Sequence, residues 1–117
     1  MSYTDTFSSL KQCIQTCLEC HRLCQQSAER YRVTSNGLLS EPPHIRQLRF
    51  CAGVCQATAQ IMLSRSGMNH HTFRLCAQSC CRCADGCEQI EGLEDCVQAC
   101  LVCAESCSQQ ASLALSS

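Results

Sequence analysis

Cys76-Ala77-Gln78-Ser79-Cys80-Cys81-Arg82-Cys83-Ala84-Asp85-Gly86-Cys87 is the stretch whose reading decides the fold. Leaving Cys81 aside, its cysteines step by four, three and four. At about 100° per residue those steps place them at roughly 0°, 40°, −20° and 20° around a helix, one narrow stripe. On a strand the same offsets would alternate between faces and scatter the thiols. The pattern recurs twice more, at Cys13, Cys17, Cys20, Cys24 and at Cys96, Cys100, Cys103, Cys107. A fourth segment opens it with Cys51 and Cys55 and continues the spacing with Thr58 and Met62.

Working outward, each stripe extends at heptad spacing into further inward positions. Leu10, Ser27 and Tyr31 flank the first set, His44 and Leu48 precede the second, Phe73 and Ile90 bracket the third, and Leu93 precedes the fourth. A seam repeating every 3.5 residues implies left-handed packing at about 20°, the geometry of most four-helix bundles. Stop and start signals predict helices over about 4–32, 44–65, 70–90 and 93–113. Ser35-Asn36-Gly37 ends the first, and Glu41-Pro42-Pro43 enforces an extended approach to the second. Ser66-Gly67-Met68-Asn69 makes the next turn, with Asn69 the N-cap of the third helix, and Gly92 supplies a left-handed residue between the last two. Short links favour antiparallel neighbours. The expected fold is all-α: residues 1–117 as one domain, an up-down-up-down bundle with four cysteine stripes facing one axis.

Composition narrows the chemistry. Fifteen cysteines in 117 residues, no Trp and only five Phe or Tyr make cysteine the main filling of the interior. A net charge of −1 gives no electrostatic footprint for nucleic acid. No apolar run approaches the roughly 18 residues of a membrane span. Met1-Ser-Tyr-Thr-Asp-Thr-Phe lacks a basic n-region and an apolar h-region, so a cytosolic protein with reduced thiols is expected. In that compartment a high, odd cysteine count is a metal or redox signal rather than a disulfide framework.

Fourteen of the fifteen cysteines fall on the stripes; Cys81, about 140° from Cys76, falls outside and is expected at the surface. A single buried cysteine is ordinarily an inert small hydrophobe. Fourteen reactive thiols where Leu or Ile would pack better require a sulfur-ligand role. Soft thiolates select Cu(I), Zn(II) or iron–sulfur clusters. Zinc and iron–sulfur sites usually draw their ligands from loop-borne CxxC runs. Cu(I), content with two or three ligands, is bracketed by thiolates at i and i+4 of one helix, whose β-carbons are about 5–6 Å apart. With each thiolate bridging two ions, capacity is on the order of a dozen per chain, and equal numbers of Cu(I) and thiolate are neutral. Met62, a thioether on the seam, and His44, at the opposite end, are possible accessory ligands. A zinc or iron–sulfur thiolate protein, and a thiol–disulfide redox buffer or sensor, remain as rival readings. The histidines show no HExxH pairing or nucleophile partner, so no catalytic constellation appears and an enzyme is not expected. Phe7, Leu10, Ile14 and Leu18 form a second stripe beside the first, suited to burial between subunits, so an oligomer is expected.

With its four helices, repeated CxxxC and CxxC spacing and lack of an export signal, the whole chain resembles the cytosolic branch of the copper storage proteins. The resemblance implies a homotetramer of bundles that loads many Cu(I) ions on the four stripes and retains them, exchanging copper with a chaperone or a copper-requiring protein. The chain departs from full stripes at Thr58 and Met62, which marks one end of the interior as the thiol-poor one.

Overall fold

The computed structural model describes residues 3–35 and 41–116, and side chains over 9–35 and 41–115. Four helices make up the fold: α1 Tyr3–Thr34, α2 Pro43–Ser64, α3 His70–Cys87 and α4 Glu94–Ser116. Each packs on its two neighbours in a closed square, α1–α2, α2–α3, α3–α4 and α4–α1, with no close backbone approach along the diagonals among the described residues. Sulfur contacts fix the directions. Cys13 and Cys24 of α1 meet Cys107 and Cys96 of α4, and Cys51 and Cys55 of α2 meet Cys80 and Cys76 of α3, so both pairs run antiparallel. The body measures 50 × 24 × 19 Å, one helix-length long and two helices across.

The predicted punctuation is present. Pro42 is extended (φ −60°, ψ 155°) and Pro43 occupies the first turn of α2, where a missing N–H costs nothing. Arg65 closes α2 in the left-handed region, its N–H reaching the Met62 carbonyl, and Gly67 (φ 79°) continues the turn. Asn69 caps α3 by accepting from the Thr72 N–H at 3.1 Å. The α1 stop signal at Asn36 and Gly37 lies outside the described residues.

One boundary is corrected. α3 was expected to reach about residue 90 with Ile90 on the seam, but it ends at Cys87 and Ile90 is 36% exposed. The Ile90 N–H bonds the Cys87 carbonyl three residues back, and the Leu93 N–H bonds the Ile90 carbonyl, so two tight turns replace a last α-turn. Gly92, at φ 91°, then reverses the chain into α4, and Leu93, not Ile90, is buried.

Alanines let the helices close. Ala28 and Ala52 are buried near the α1–α2 contact, and Ala77, Ala84, Ala104 and Ala111 are buried about 60–100° from the stripes of α3 and α4. The conventional large core side chains gather at the two ends of the interior: Ile45, Leu48 and Leu93 at one, Met62 and Phe73 at the other. Between them the inward positions are cysteine, apart from Thr58 on α2.

Candidate metal centre

Fourteen cysteines are buried and only Cys81 is exposed, as its angle predicts. Twelve of the fourteen, all but Cys87 and Cys96, have relative exposures of at most 0% after rounding, and those two reach 1% and 3%. Helix geometry supplies the inward aim; antiparallel packing supplies the vertical stacking.

The column is continuous. At the α1 N-terminal end, Cys13 and Cys17 both lie 3.7 Å from Cys107, and Cys17 lies 3.7 Å from Cys103. In the middle, Cys55 is 3.6 Å from Cys80, 3.9 Å from Cys76 and 4.0 Å from Cys103, while Cys20 is 3.6 Å from Cys100 and 4.0 Å from Cys80. Toward the other end, Cys24 is 3.5 Å from Cys96, 3.8 Å from Cys100 and 4.0 Å from Cys83. Every helix contributes. Three groups of four have all their sulfurs within 4.8 Å of one another: Cys17, Cys76, Cys103, Cys107; Cys20, Cys24, Cys51, Cys100; and Cys20, Cys55, Cys80, Cys103.

Shared hydrogens divide the thiols into donors and acceptors. Donation from Cys107, then Cys17, holds Cys13 down at about 4, and donation from Cys100 brings Cys20 to about 7. Their neighbours move the other way: Cys103 pushes Cys17 and Cys107 up, Cys100 pushes Cys24 up, and burial adds to each. A sulfur column of this kind holds some thiolates ready for a soft cation while its remaining protons must leave as further cations arrive.

The α2 seam keeps the predicted register: Leu48, Cys51, Cys55, Thr58 and Met62 are all buried. Thr58 satisfies its hydroxyl by donating to the Val54 carbonyl at 2.8 Å, so it offers no ligand-like orphan. Phe73, one seam step before Cys76, removes a second wall of thiols at the level of Thr58, leaving Cys13 and Cys107 as the outermost sulfurs at that end. The expected thiol-poor end is thus real and poorer than α2 alone suggests. His44 is half-buried at the far end, edge-on to Tyr31 with ring centroids 6.5 Å apart, and belongs to none of the four-sulfur groups.

Three polar features had little or no sequence signal. His21 Nδ1 lies 2.8 Å from the Ala52 carbonyl, next to Cys51, and ties α1 to α2. Gln110, 6% exposed, donates to Ser9 Oγ at 2.6 Å beyond Cys107; it is the next seam step after that cysteine, which was the available clue. Ser79 Oγ is buried without a hydrogen-bond partner, which nothing in the local spacing announces. Of the outer stripe on α1, Leu10 and Ile14 pack partly against the core, Leu18 is 41% exposed, and the Phe7 side chain lies outside the described residues.

Comparison with known proteins gives the column its context. Residues 6–112 match the family described as copper storage protein. The crystal structure of the Nmul_A1745 protein from Nitrosospira multiformis is 38% identical, with a TM-score of 0.82 over 91% of this chain and 97% of that one. A cytosolic copper storage protein from Streptomyces lividans, solved with five coppers, is 28% identical, with a TM-score of 0.65 over 94% of each chain. The same Streptomyces protein loaded with 10 copper equivalents superposes with a TM-score of 0.65 at 28% identity, over 93% of this chain and 85% of that one. Among curated proteins none matches. No helix of the described residues is long and apolar enough to cross a membrane. With a buried sulfur column running through all four helices and a match over nearly its full length, the chain belongs to the copper storage protein family.

Proposed function

We propose that the chain stores Cu(I) on the thiolates of Cys13, Cys17, Cys20, Cys24, Cys51, Cys55, Cys76, Cys80, Cys83, Cys87, Cys96, Cys100, Cys103 and Cys107, with no catalytic step. The observation that carries this reading is the unbroken run of S···S approaches of 3.5–4.0 Å linking all four helices. A soft monovalent cation with two or three ligands fits any adjacent pair or trio in such a run, and each sulfur serves two ions. Charge neutrality at equal numbers of Cu(I) and thiolate offsets the cost of burial and favours a capacity on the order of a dozen per chain. Copper is sparsest around Thr58 and Met62. Met62, 1% exposed at that end, is an accessory thioether ligand, and His44 is an accessory site at the other.

Thiolate ligation needs reduced cysteines, and the similar Streptomyces lividans protein is described as cytosolic, which together support a cytosolic setting. Exposed Leu18, Phe50, Leu75 and Leu101 support a homotetramer that covers part of the outer surface. A copper chaperone or a copper-requiring protein is the exchange partner. Anaerobic titration of the fully reduced protein with Cu(I) against a chromophoric chelator tests the storage reading. Uptake of about a dozen ions per chain is expected, and saturation at one to four would sink it. Sedimentation at micromolar concentration tests assembly, where a monomer would reject the tetramer.

A further inference from the structure

Two of the three four-sulfur groups share no residue: Cys17, Cys76, Cys103, Cys107 and Cys20, Cys24, Cys51, Cys100. We propose that the copper-free chain binds two divalent zinc ions, one tetrahedrally in each of these groups, as a closed-site state that Cu(I) displaces.

The geometry is close to that of a tetrathiolate site before any ion arrives, with every S···S edge within 4.8 Å. Zinc–sulfur bonds of about 2.3 Å require S···S edges of about 3.8 Å. In the first group Cys17 is 3.7 Å from both Cys103 and Cys107. In the second, Cys20–Cys24, Cys20–Cys100 and Cys24–Cys100 are 3.9, 3.6 and 3.8 Å. Each group draws on three helices, the first on α1, α3 and α4 and the second on α1, α2 and α4, so occupancy of both cross-links the whole bundle.

Charge sets the number. Two divalent ions on eight thiolates leave four negative charges in the interior, a cost that needs hydrogen-bond donors close by. Cysteines left out of both groups supply them. Cys55 is 4.0 Å from Cys103, Cys80 is 4.0 Å from Cys20, and Cys83 is 4.0 Å from Cys24, each placed to donate. Three neutral S–H groups therefore stand beside the two sites. The third group competes because it takes Cys20 from one site and Cys103 from the other, so filling it limits the chain to a single ion. Loading removes the protons that remain on these eight cysteines and involves no electron transfer. Displacement returns Zn(II) to water while the same thiolates bridge Cu(I), the softer ion.

Cobalt(II) and zinc(II) titrations of the reduced, copper-free protein test this directly. Cobalt should give the d–d and sulfur charge-transfer absorption of a tetrahedral four-sulfur centre and saturate at two ions per chain. Zinc should bleach that spectrum mole for mole and raise the thermal midpoint. Cys107→Ala should leave one ion, and Cys81→Ala should leave two. Saturation at one ion or above two in the unaltered protein, or a spectrum of nitrogen and oxygen ligands, would overturn the proposal. Copper capacity is measured separately on the same preparation, so loss of the zinc state leaves the storage reading standing, and the reverse holds equally.

Discussion

Three helices present four thiols each to the axis, whereas α2 presents two, set between Leu48 on one side and Thr58 and Met62 on the other. The three full seams are built for ligation, and their inward residues are poor core formers, since a thiol buries far less apolar surface than Leu or Ile. The α2 seam divides the work: its middle completes the sulfur column while its ends supply packing. The copper-free bundle therefore leans on α2, Phe73 and the flanking alanines, and the loaded bundle leans on the metal. The largest expected effect breaks the comparison at that point. Leu48→Ala, at a site with 0% exposure, should destabilise the reduced copper-free protein by about 2–5 kcal/mol in urea denaturation. Once copper cross-links the helices the same substitution should matter much less. An equal loss in both states would mean that α2 has no special packing role.

Protons separate the seams next. Cys20, near 7, begins to take up a proton as the pH falls through neutrality, while Cys13, near 4, stays ionised to much lower pH. Cys17, Cys24 and Cys107, pushed up, surrender their protons only to an incoming cation. Copper affinity should thus fall as the pH falls, by up to about tenfold per pH unit for each ion that releases one proton. Chelator competition at several pH values, with proton release followed by an indicator dye, checks both the sign and the slope. Affinity independent of pH between 8 and 6 would mean that the thiols are already ionised in the copper-free state.

Filling the gap in α2 sharpens the comparison from the other side. Thr58→Cys exchanges a hydroxyl bonded within its own helix for a thiol on the axis, and Met62→Cys extends the stripe one step further. The pair should add about two ions to the capacity, one per new thiolate. An unchanged count would show that Phe73, across the interior, closes that end whatever α2 carries.

Much of this was legible in the sequence because the informative residues repeat with helical period. The 4-3-4 spacing placed all fourteen buried thiols, singled out Cys81, and marked Met62 as the thiol-poor end. What failed was decided between helices. Glu88, Gln89 and Ile90 are acceptable helix residues, and nothing in their identity announces that α3 stops at Cys87; the reversal into α4 forces that stop, through Gly92 at positive φ. Phe73 was placed on its seam correctly, but its level opposite Thr58 depends on the axial offset of α3 against α2. That offset is fixed by the Cys55–Cys76 and Cys51–Cys80 contacts. His21 is a similar case: its partner, the Ala52 carbonyl, lies on a neighbouring helix that no spacing names.

That histidine carries the smallest of the expected effects and the one most specific to α2. Its ring bridges to the carbonyl of Ala52, one residue from Cys51, so it sets the height at which the only thiol pair of α2 meets the other three stripes. His21→Ala removes a partly buried hydrogen bond and should cost about 1 kcal/mol in the copper-free protein. Its more telling consequence is positional. With the tether gone, α2 can slide along α1 in the absence of metal, and backbone amides around Ala52 should exchange more quickly with solvent hydrogen than those of α3 and α4, whose thiols still interlock. Uniform exchange across all four helices would show that the sulfur column alone fixes the register, and that α2 needs no anchor beyond its two cysteines.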